Sequence, residues 1–424
     1  MSATMSDANP PAPPHAGHTD APAWVARLNS TAETRAGFHI HLVGIGGTGL
    51  SAIAGFLLQR GFTVSGSDQR PNEATDELAG RGVAVYRGHR AEHVAGADLV
   101  LVSSAVPEDN PEIIAAREAG IPIVKRSDFL GPLIEGHHGI GVAGSHGKTT
   151  TTSMVAIVLL RAGMDPSFIV GGRIAVGPAE GALMSATVAA RAGEGPFVIE
   201  ADEYDGMFLG LRLEIGIVTN VDWDHVDCYP TPASFAAAFR QYAAQLPAHG
   251  LLIVCADDAG ALALRDAVQP GVAVETYGLS DGADWQARDL APNERGGFDA
   301  EVWHAGAPVA HLSLSVPGRH NVRNALAALA AAHWHRIPPA RAAIMLRDFR
   351  GAGRRFELVG EADGVTVIDD YAHHPTEVAA TLSAARLRYA TRRIWAVFQP
   401  HTYSRTKALL RDYAHSFDDA DRVL

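Results

Sequence analysis

The 424-residue sequence lacks the features of three large classes of protein. It has two cysteines, Cys228 and Cys255, which are too few for a disulfide framework and form no CxxC metal motif. It has no run of about 18 apolar residues, so we expect no membrane insertion. A net charge of −12 without a basic run argues against binding to nucleic acid. The few cysteines suit a reducing compartment.

The start of the chain also lacks a recognisable sorting signal. Residues 1–36 are rich in alanine, proline, serine and threonine, without the charged and apolar segments of a secretory leader. Such a composition buries too little apolar surface to fold by itself. We therefore predict that residues 1–36 form a disordered extension.

Lysine is scarce, and its placement is informative. Only Lys125, Lys148 and Lys407 occur, against 32 arginines, so a lysine within a glycine-rich stretch requires an explanation. Residues 139–152 read GIGVAGSHGKTTTT, which is a short apolar run, a loop of small residues and the start of a helix. Glycine N–H groups, a helix N-terminus and a lysine together bind phosphate.

This loop predicts a nucleotide-binding site, although a glycine-rich turn in any α/β protein has a similar composition. Its spacing departs from the full P-loop because Val142 stands six residues before Lys148, where a glycine is usual. The candidate cofactor-binding residues of the loop are Gly144, Ser145, His146, Gly147, Lys148, Thr149 and Thr150.

A second glycine turn lies near the start of the folded region. An apolar strand over residues 38–43 leads into GIGGTG, an apolar helix, a second strand and an acid. In the dinucleotide fingerprint a diphosphate lies on the first helix and the acid meets a ribose. We predict a doubly wound, Rossmann-like domain over residues 37–135. Its candidate substrate contacts are Gly44, Gly46, Gly47, Gly49 and Asp68, with His89 and Ser103 at or near strand ends.

Two predicted strands of the next segment both end in acidic residues. Residues 197–200 run into EADEYD, and residues 215–220 run into VDWDHVD. Ligands bind at the carboxyl ends of parallel strands, and Mg²⁺ takes oxygen ligands beside nucleotide phosphates. We therefore predict a central α/β domain over residues 136–316 with a metal site, in which His225 has a metal or phosphate role. Solvated turn acids would give a similar pattern.

The last segment has a third α/β pattern over residues 317–424. An alanine-rich helix follows HNVRN, paired arginines occur in GRRF, and predicted strands end in DDYAHHP and FQPHTYSR. Paired arginines suit phosphate contacts, although a solvated basic turn explains that phrase equally well.

Together these motifs resemble the Mur ligase family of bacterial peptidoglycan synthesis. The matching phrases follow the family's order: HLVGIGGTGLS, AGSHGKTTTT, EADE, TNVDWDH, GRHNVRNALAA, GRRF, DDYAHHPTE and FQPHTYSRT. Each phrase is modestly specific, but the whole set in order is highly specific. The resemblance implies α/β architecture with three domains: a Rossmann-like UDP-binding domain, a central P-loop ATPase-like domain with a mostly parallel sheet, and a C-terminal Rossmann-like domain.

The resemblance also implies roles for individual residues. The implied catalytic residues are Lys148, His225 and Arg355. The implied Mg²⁺ ligands are Thr149, Glu200 and His225. Further implied contacts to ATP are Asn321, Asn324, Arg355 and Asp370. The implied contacts to the incoming amino acid and the acyl phosphate are His374, His401 and Arg405.

The implied activity is ATP-dependent ligation of L-alanine to UDP-N-acetylmuramate, in the bacterial cytoplasm, by a monomer or weak homodimer. Later ligases of the pathway resemble one another in using a carbamylated lysine of the central domain, and here no lysine lies between Lys148 and Lys407. This absence leaves two possible activities, which are the addition of L-alanine and the addition of a whole tripeptide. The phrases DDYAHHPTE and FQPHTYSRT favour the addition of L-alanine. The motifs are also compatible with an inactive homologue, and the first glycine turn alone would suit an NAD-dependent dehydrogenase.

Family members usually continue past the position of Leu424. We therefore expect the third domain to be truncated, with an exposed sheet edge that would lower stability and activity.

Overall fold

The computed structural model describes residues 22–175 and 187–424, which form three α/β parts. The first part has a five-stranded sheet, the second a ten-stranded sheet, and the third two sheets of two strands each. None of the helices in these two ranges is long and apolar enough to cross a lipid bilayer. The predicted α/β class with three parts is confirmed.

The first part is a doubly wound unit around five parallel strands. The strands are β1 (His39–Val43), β2 (Thr63–Asp68), β3 (Ala84–Arg87), β4 (Leu99–Val102) and β5 (Ile123–Lys125). The helices are α1 (Ala23–Leu28), α2 (Ala32–Arg35), α3 (Thr48–Gln59), α4 (Glu73–Gly80), α5 (Pro111–Glu118) and α6 (Arg126–Ile134), with a 3₁₀ turn at Ala91–Val94. The sheet order β3-β2-β1-β4-β5 matches the predicted Rossmann-like arrangement.

The sequence explains where these elements lie. Strand β4 reads LVLV and is buried throughout, as expected for a parallel strand covered on both faces. Helix α4 begins at Asn72, whose side chain accepts from two backbone N–H groups in a capping box with Thr75. Helix α5 begins at Asn110 with Pro111 in its first turn. Local capping signals therefore set both helix starts.

The predicted disordered extension is wrong for residues 22–36, because this range contains helices α1 and α2. The reason is burial against residues distant in the chain, since Trp24 and Leu28 pack into the core of the first part. The ring of Trp24 stacks on Phe129 of helix α6 with a centroid distance of 5.8 Å. Residues 1–21 lie outside the described residues.

The central part is a mixed sheet covered by helices. Its strands are β6 (Gly139–Ala143), β7 (Ser167–Ala175), β8 (Thr187–Arg191), β9 (Phe197–Glu200), β10 (Ile215–Val218), β11 (Leu251–Cys255), β12 (Ala273–Gly278), β13 (Trp285–Pro292), β14 (Phe298–His304) and β15 (Ala307–Ser313). Its helices are α7 (Lys148–Arg161), α8 (Pro232–Ala244), α9 (Ala259–Leu262), α10 (Arg319–Trp334) and α11 (Pro339–Leu346), with 3₁₀ turns at Tyr204–Gly210 and Ala263–Asp266.

The order of this sheet determines where the predicted motifs meet. The order is β15-β14-β13-β12-β11-β10-β6-β9-β7-β8, and the pairs from β13 to β7 are parallel. Strand β6, which leads into the glycine loop, therefore lies between β9 and β10. These are the two strands predicted to end in acids, and all three carboxyl ends meet at one edge of the sheet.

The third part is small and lies against the same edge. Its elements are β16 (Glu357–Ala362), β17 (Val365–Asp369), α12 (Pro375–Arg388), β18 (Trp395–Ala396), α13 (Tyr403–Ala408), α14 (Leu410–Tyr413) and β19 (Arg422–Val423). Strands β16 and β17 form an antiparallel hairpin, and β18 pairs with β19 in parallel. The predicted strand that leads into FQPHTYSR is thus only two residues long.

Helices α10 and α11 pack on the central part. Helix α10 contacts helix α7 and strands β11, β12 and β13, and α11 packs against α7 and β15. This packing favours a boundary after residue 346 over the predicted boundary between residues 316 and 317, which stays a prediction.

Gly66 offers a test of the first sheet. A Cβ atom at Gly66 would lie 2.7 Å from the carbonyl oxygen of Leu42 and 2.8 Å from Cβ of Ile45. We expect Gly66→Ala to destabilise the protein by about 1–3 kcal/mol, because backbone atoms of β1 must shift. The same change at Gly80, which meets nothing within 4 Å, should be neutral or stabilising. Urea unfolding of both variants measures this, and equal stability would contradict the close packing.

Candidate active site

The loop between β6 and α7 has the backbone shape of an anion cradle. Gly147 stands just before helix α7 with a left-handed φ of 83°, and Gly144 has a φ of 130°. A Cβ atom on Gly144 would lie 2.0 Å from Oγ1 of Thr219. These positions therefore require glycine, and they aim the N-terminus of α7 at the cleft beyond the sheet edge.

The Lys148 side chain folds back over this loop and pairs with a buried acid. Its Nζ donates to the carbonyl oxygens of Gly144 and Ser145 and lies 2.9 and 2.8 Å from the two carboxylate oxygens of Glu203. Burial alone would lower the pKa of Lys148, but the attraction of Glu203 outweighs it and raises the pKa. Lys148 is therefore a firmly charged cation at the loop.

Glu203 also holds His225. The Nε2 atom of His225 lies 3.3 Å from Oε1 of Glu203, whose side chain has no exposed surface. Burial alone would lower the pKa of His225, but the hydrogen bond to Glu203 raises it. His225 has a left-handed φ of 53°, a costly conformation for a residue with a Cβ. The side chains of Asp202, Glu203 and His225 bring one ligand atom each within 4.8 Å of one another.

Glu200 occupies a neighbouring position at the end of β9. Its Oε1 accepts from the backbone N–H of Gly171 at 2.6 Å, and its carboxylate also contacts the Thr149 hydroxyl. Burial raises the pKa of Glu200 despite the attraction of Lys148. Glu200 therefore contacts Thr149, whereas the compact group around His225 consists of His225, Asp202 and Glu203.

These donors suit a magnesium ion. They consist of carboxylates, a hydroxyl and one imidazole beside a phosphate loop, and oxygen ligands are what Mg²⁺ prefers. A buried carboxylate whose pKa is raised, as at Glu200, gains most from a nearby cation. The predicted ligand set of Thr149, Glu200 and His225 stays a prediction, and the geometry adds Asp202 and Glu203 to the candidates.

The predicted asparagines lie in the first turns of helix α10. Asn321 and Asn324 are nearly buried, and Nδ2 of Asn324 donates to Oδ1 of Asn321 at 3.1 Å. A Cβ atom on Gly147 would lie 3.0 Å from Oδ1 of Asn324. The close approach of Gly147 and Asn324 joins α10 to the phosphate loop.

Arg355 and Asp370 reach the cleft from the third part. Arg355 lies 3.6 Å from Glu377 and packs its guanidinium against the Tyr371 ring. Asp370 accepts from the backbone N–H groups of Phe356 and Ala372 at 2.8 and 2.7 Å. Burial raises the pKa of Asp370. The backbone contacts orient this carboxylate.

His146 of the loop contacts the third part directly. Its Nε2 lies 2.9 Å from Asp222, and its Nδ1 lies 3.4 Å from Glu377. Burial alone would lower the pKa of His146, but the hydrogen bond to Asp222 and the close carboxylate of Glu377 raise it to about 9. The His374 ring lies 4.6 Å from the His146 ring, and burial together with the neighbouring imidazole lowers the pKa of His374.

A buried ion pair makes a second link between the central and third parts. Arg405 donates from Nε and Nη2 to the two oxygens of Asp224 at 2.6 and 2.9 Å. Burial would raise the pKa of Asp224, but the Arg405 hydrogen bonds lower it to about 2. His401 is exposed, and its carbonyl accepts from Arg405. Arg405 therefore links the central and third parts, independently of any contact that it makes with a bound substrate.

The glycine turn of the first part is closed by Asp68. The backbone N–H of Gly46 donates to Oδ2 of Asp68 at 2.9 Å, and Gly47 immediately precedes helix α3. Gly49 lies so close to Arg126 that a Cβ atom would meet its Nη1 at 1.9 Å. Arg126 in turn pairs with Asp202 at 3.1 Å. This pair joins the first glycine turn to the acids of the central part.

His89 belongs to a buried network rather than to the cleft. Its Nδ1 lies 2.9 Å from Oγ of Ser67 and 3.2 Å from Oε2 of Glu112. His93 contacts Oε1 of the same glutamate at 2.6 Å. Ser103 lies apart from it, beside Gly44, and its Oγ accepts from the N–H of Ala105. Whether His89 and Ser103 contact a substrate stays a prediction.

One cleft of about 1940 Å³ collects most of the predicted residues. Its lining includes residues from all three parts: Gly46, Gly49, Ser145, His146, Gly147, Lys148, Thr149, Thr150, Glu200, His225, Asn321, Asn324, Arg355, Asp370, His401 and Arg405. The predicted residues outside this lining are Gly44, Gly47, Asp68, His89, Ser103, Gly144 and His374.

Several side chains central to the site were not predicted individually. Glu203 lies in the recognised EADE phrase and Asp224 in VDWDH, so both had a signal as strand-end acids. Glu377 stands in DDYAHHPTE and carried no signal beyond the phrase itself. Arg126 stands in no phrase that indicated a ligand, and only the fold places it beside the site.

The fold and this cleft define a nucleotide-binding α/β protein of the P-loop type. Three family models cover most of the chain: the Mur ligase catalytic domain over residues 39–138, the middle domain over 142–332, and the glutamate ligase domain over 354–424. The chain belongs to the Mur ligase family.

Curated relatives and solved structures agree with this membership. The chain is 45% identical to a UDP-N-acetylmuramate–L-alanine ligase of Acidithiobacillus ferrooxidans, over 91% of this chain and 82% of the relative. A ligase of the same name from Caldanaerobacter subterraneus is 42% identical over 91% of this chain and 82% of its own length.

Among solved structures, the UDP-N-acetylmuramate–alanine ligase of Thermotoga maritima has a TM-score of 0.77 at 31% identity. A murein peptide ligase of Psychrobacter arcticus has a TM-score of 0.75 at 30% identity. Each similarity covers 91% of this chain and 84% of the solved chain.

The network around Glu112 generates a pH prediction. Burial would raise the pKa of this carboxyl, but contacts from His41, Ser67 and His93 lower it from 4.5 to about 2. A lowered pKa stabilises the fold above pH 4.5, and this contribution is lost as the pH falls toward 2. We expect Glu112→Gln to lower the free energy of unfolding by on the order of 3 kcal/mol at neutral pH, and by progressively less as the pH falls below 4.5.

Urea unfolding between pH 7 and pH 3 measures this difference. Glu118→Gln is the matched control, because Glu118 lies on the same helix and is exposed. A Glu112→Gln penalty that stays constant or grows on acidification would contradict the assigned network.

Proposed function

We propose that the protein ligates L-alanine to the lactyl carboxylate of UDP-N-acetylmuramate at the expense of ATP, for peptidoglycan precursor synthesis. The observation that carries this proposal is the Lys148 loop lying between two strands that end in carboxylates. It is supported by relatives of 42–46% identity whose names state this activity.

The chemistry explains why such a cleft is needed. A carboxylate is a poor electrophile, so its oxygen first takes the γ-phosphoryl group of ATP, and ADP leaves. The resulting acyl phosphate has a good leaving group, and the neutral amine of the amino acid attacks its carbonyl carbon. Phosphate departs, and the amine loses a proton. Such transfers depend mainly on positioning and on neutralisation of charge.

The residues of the cleft fit these requirements. We propose that Lys148 and Arg355 neutralise the transferring phosphate and that the N-terminus of α7 binds it. Thr149, Glu200 and His225 would hold Mg²⁺, whose charge offsets that of the phosphates. The proposed further contacts to ATP are the other loop residues with Asn321, Asn324 and Asp370.

The two remaining substrates are assigned to the edges of the cleft. The glycine turn with Asp68, His89 and Ser103 would hold the UDP end of the acceptor. His374, His401 and Arg405 would lie near the amino acid and the acyl phosphate. We also propose a cytoplasmic location, where ATP and UDP-sugars are present, and a monomer or weak homodimer.

Ligation of a tripeptide is the second candidate function. The murein peptide ligase of Psychrobacter arcticus has nearly the same TM-score as the alanine ligase of Thermotoga maritima. The absence of lysine between Lys148 and Lys407 is equally compatible with both activities. The amino-acid substrate must therefore be tested directly.

A panel of acceptor amines separates these functions. We expect ATP- and UDP-N-acetylmuramate-dependent phosphate release to be fastest with L-alanine, against L-serine, glycine and the tripeptide. Release with the tripeptide alone would establish the second function. A thermal shift with NAD(H) and none with UDP-N-acetylmuramate would overturn both.

Lys148 gives the sharpest test of the site. We expect Lys148→Ala to lower kcat by at least about 10²–10³, because one positioned charge is lost from the transition state. It also leaves Glu203 buried without its cation, which costs about 3–5 kcal/mol. The double variant Lys148→Ala with Glu203→Gln removes both charges and should recover stability without activity.

Lys125→Ala is the matched control, because Lys125 is exposed and lies in the first part. It should keep full activity in the same phosphate-release assay. A folded Lys148→Ala protein with the activity of the Lys125→Ala protein would refute the assignment of the loop.

A further inference from the structure

A second set of metal-ligand side chains converges beside the phosphate loop. His146 comes from the loop, Asp222 from the segment after β10, and His374 from the start of α12. One ligand atom of each lies within 4.8 Å of the other two. This group contains none of the three residues assigned to magnesium.

The distances suit a small tetrahedral ion. Nε2 of His146 lies 2.9 Å from Oδ2 of Asp222, and Nδ1 of His374 lies 3.5 Å from the same oxygen. Zinc bonds of about 2.0–2.1 Å place tetrahedral ligands about 3.3 Å apart. The two separations from Asp222 are therefore within about half an ångström of this spacing, and the two imidazoles offer nitrogens within 4.8 Å of each other.

Neighbouring groups orient these ligands. Oε1 of Glu377 lies 3.4 Å from Nδ1 of His146, on the far side of its ring from Asp222. Metal-bound histidines commonly place their second ring nitrogen against a carboxylate in this way. The Thr376 hydroxyl donates to Oδ2 of Asp222 at 2.6 Å. The group is thus held by a surrounding set of contacts as well as by itself.

Burial separates this group from ordinary surface histidines. The side chains of His146 and His374 are 12% and 4% exposed. Nδ1 of His374, the nitrogen beside Asp222, accepts from the backbone N–H of Thr376 at 3.3 Å, so an ion bound there replaces this helix cap. Nε2, on the other side of the ring, is buried and makes no hydrogen bond within the described residues.

The donor chemistry selects the kind of ion. Two imidazoles and one carboxylate suit Zn²⁺ and similar transition ions, whereas Mg²⁺ prefers oxygen donors in an octahedral shell. Three protein ligands leave a fourth position for water or a substrate group.

We propose that His146, Asp222 and His374 form a zinc-type site that links the phosphate loop to the third part of the protein. Because His374 starts α12, the ion binds only when that helix is docked on the loop. Zinc binding therefore stabilises the docked arrangement and competes with ligands that need His146 or His374 to move. The site can be tested separately from the ligase activity, because zinc occupancy is measured without turnover.

Cobalt and zinc titrations in excess Mg²⁺ test this site in the 424-residue chain. We expect one Co²⁺ to give the visible absorption of a four-coordinate ion and one equivalent of Zn²⁺ to displace it. His374→Asn should weaken zinc affinity at least about tenfold, since a ligand is lost, while asparagine still caps α12. Glu377→Gln should weaken it by a smaller factor.

Two control variants locate the ion. His225→Asn removes the imidazole of the magnesium cluster, and His415→Asn removes an exposed imidazole of the third part. Both should keep the native affinity for zinc. If the cobalt spectrum is unchanged in His374→Asn, or is lost in His225→Asn, the proposed ligands are wrong. Absence of any four-coordinate spectrum in the native protein would also overturn the site.

Hydrogen exchange tests the link to docking. Zinc should slow exchange of the α12 amides that follow Thr376 in the native protein and leave them unchanged in His374→Asn; the Thr376 amide is excluded because its acceptor is Nδ1 of His374. Asp222→Asn supplies a second ligand variant if His374→Asn is poorly folded, and it should lose the same protection. Zinc binding without any change at α12 would refute the coupling between the ion and the third part.

Discussion

The ion pair between Lys148 and Glu203 is the interaction on which the site depends. Glu203 is fully buried and holds both the loop lysine and His225. Removing one partner of such a pair leaves an uncompensated buried charge, which costs about 3–5 kcal/mol. Lys148 and Glu203 therefore stabilise each other, in addition to any contact that they make with a ligand. The glycine loop and the acidic strand end form one electrostatic unit.

The third part is attached to this unit by polar contacts. Arg405 pairs with Asp224, Thr376 donates to Asp222, and Glu377 lies beside His146. Each contact joins a residue of the third part to the phosphate loop or to the segment after β10. Polar interfaces of this kind are typical of domains that move relative to one another. Docking of the third part is thus sensitive to the charge at the loop.

The sequence predicts those parts of the site that local patterns encode. The glycine loop, the acid-ending strands and the Gly44 turn each follow from residues that are adjacent in the chain. Local patterns do not show whether Glu200 or Glu203 pairs with Lys148, because the short turn after β9 decides which carboxylate faces the lysine. Asp224 and Arg405 are 181 positions apart, and no periodicity links them. Helix α1 was missed because its burial depends on Phe129, far along the chain.

In the proposed function, nucleotide and metal binding are linked by the same charges. A phosphate group that takes Lys148 away from Glu203 leaves that carboxylate buried beside Glu200 and Asp202. These three neighbouring acids then keep only Arg126, which pairs with Asp202, and His225, which pairs with Glu203, so the nucleotide alone would leave them less well neutralised. A divalent ion that joins these acids restores the balance and also meets the phosphate oxygens. The ion and the nucleotide therefore favour each other's binding, because the lysine cannot neutralise both the acids and the phosphates.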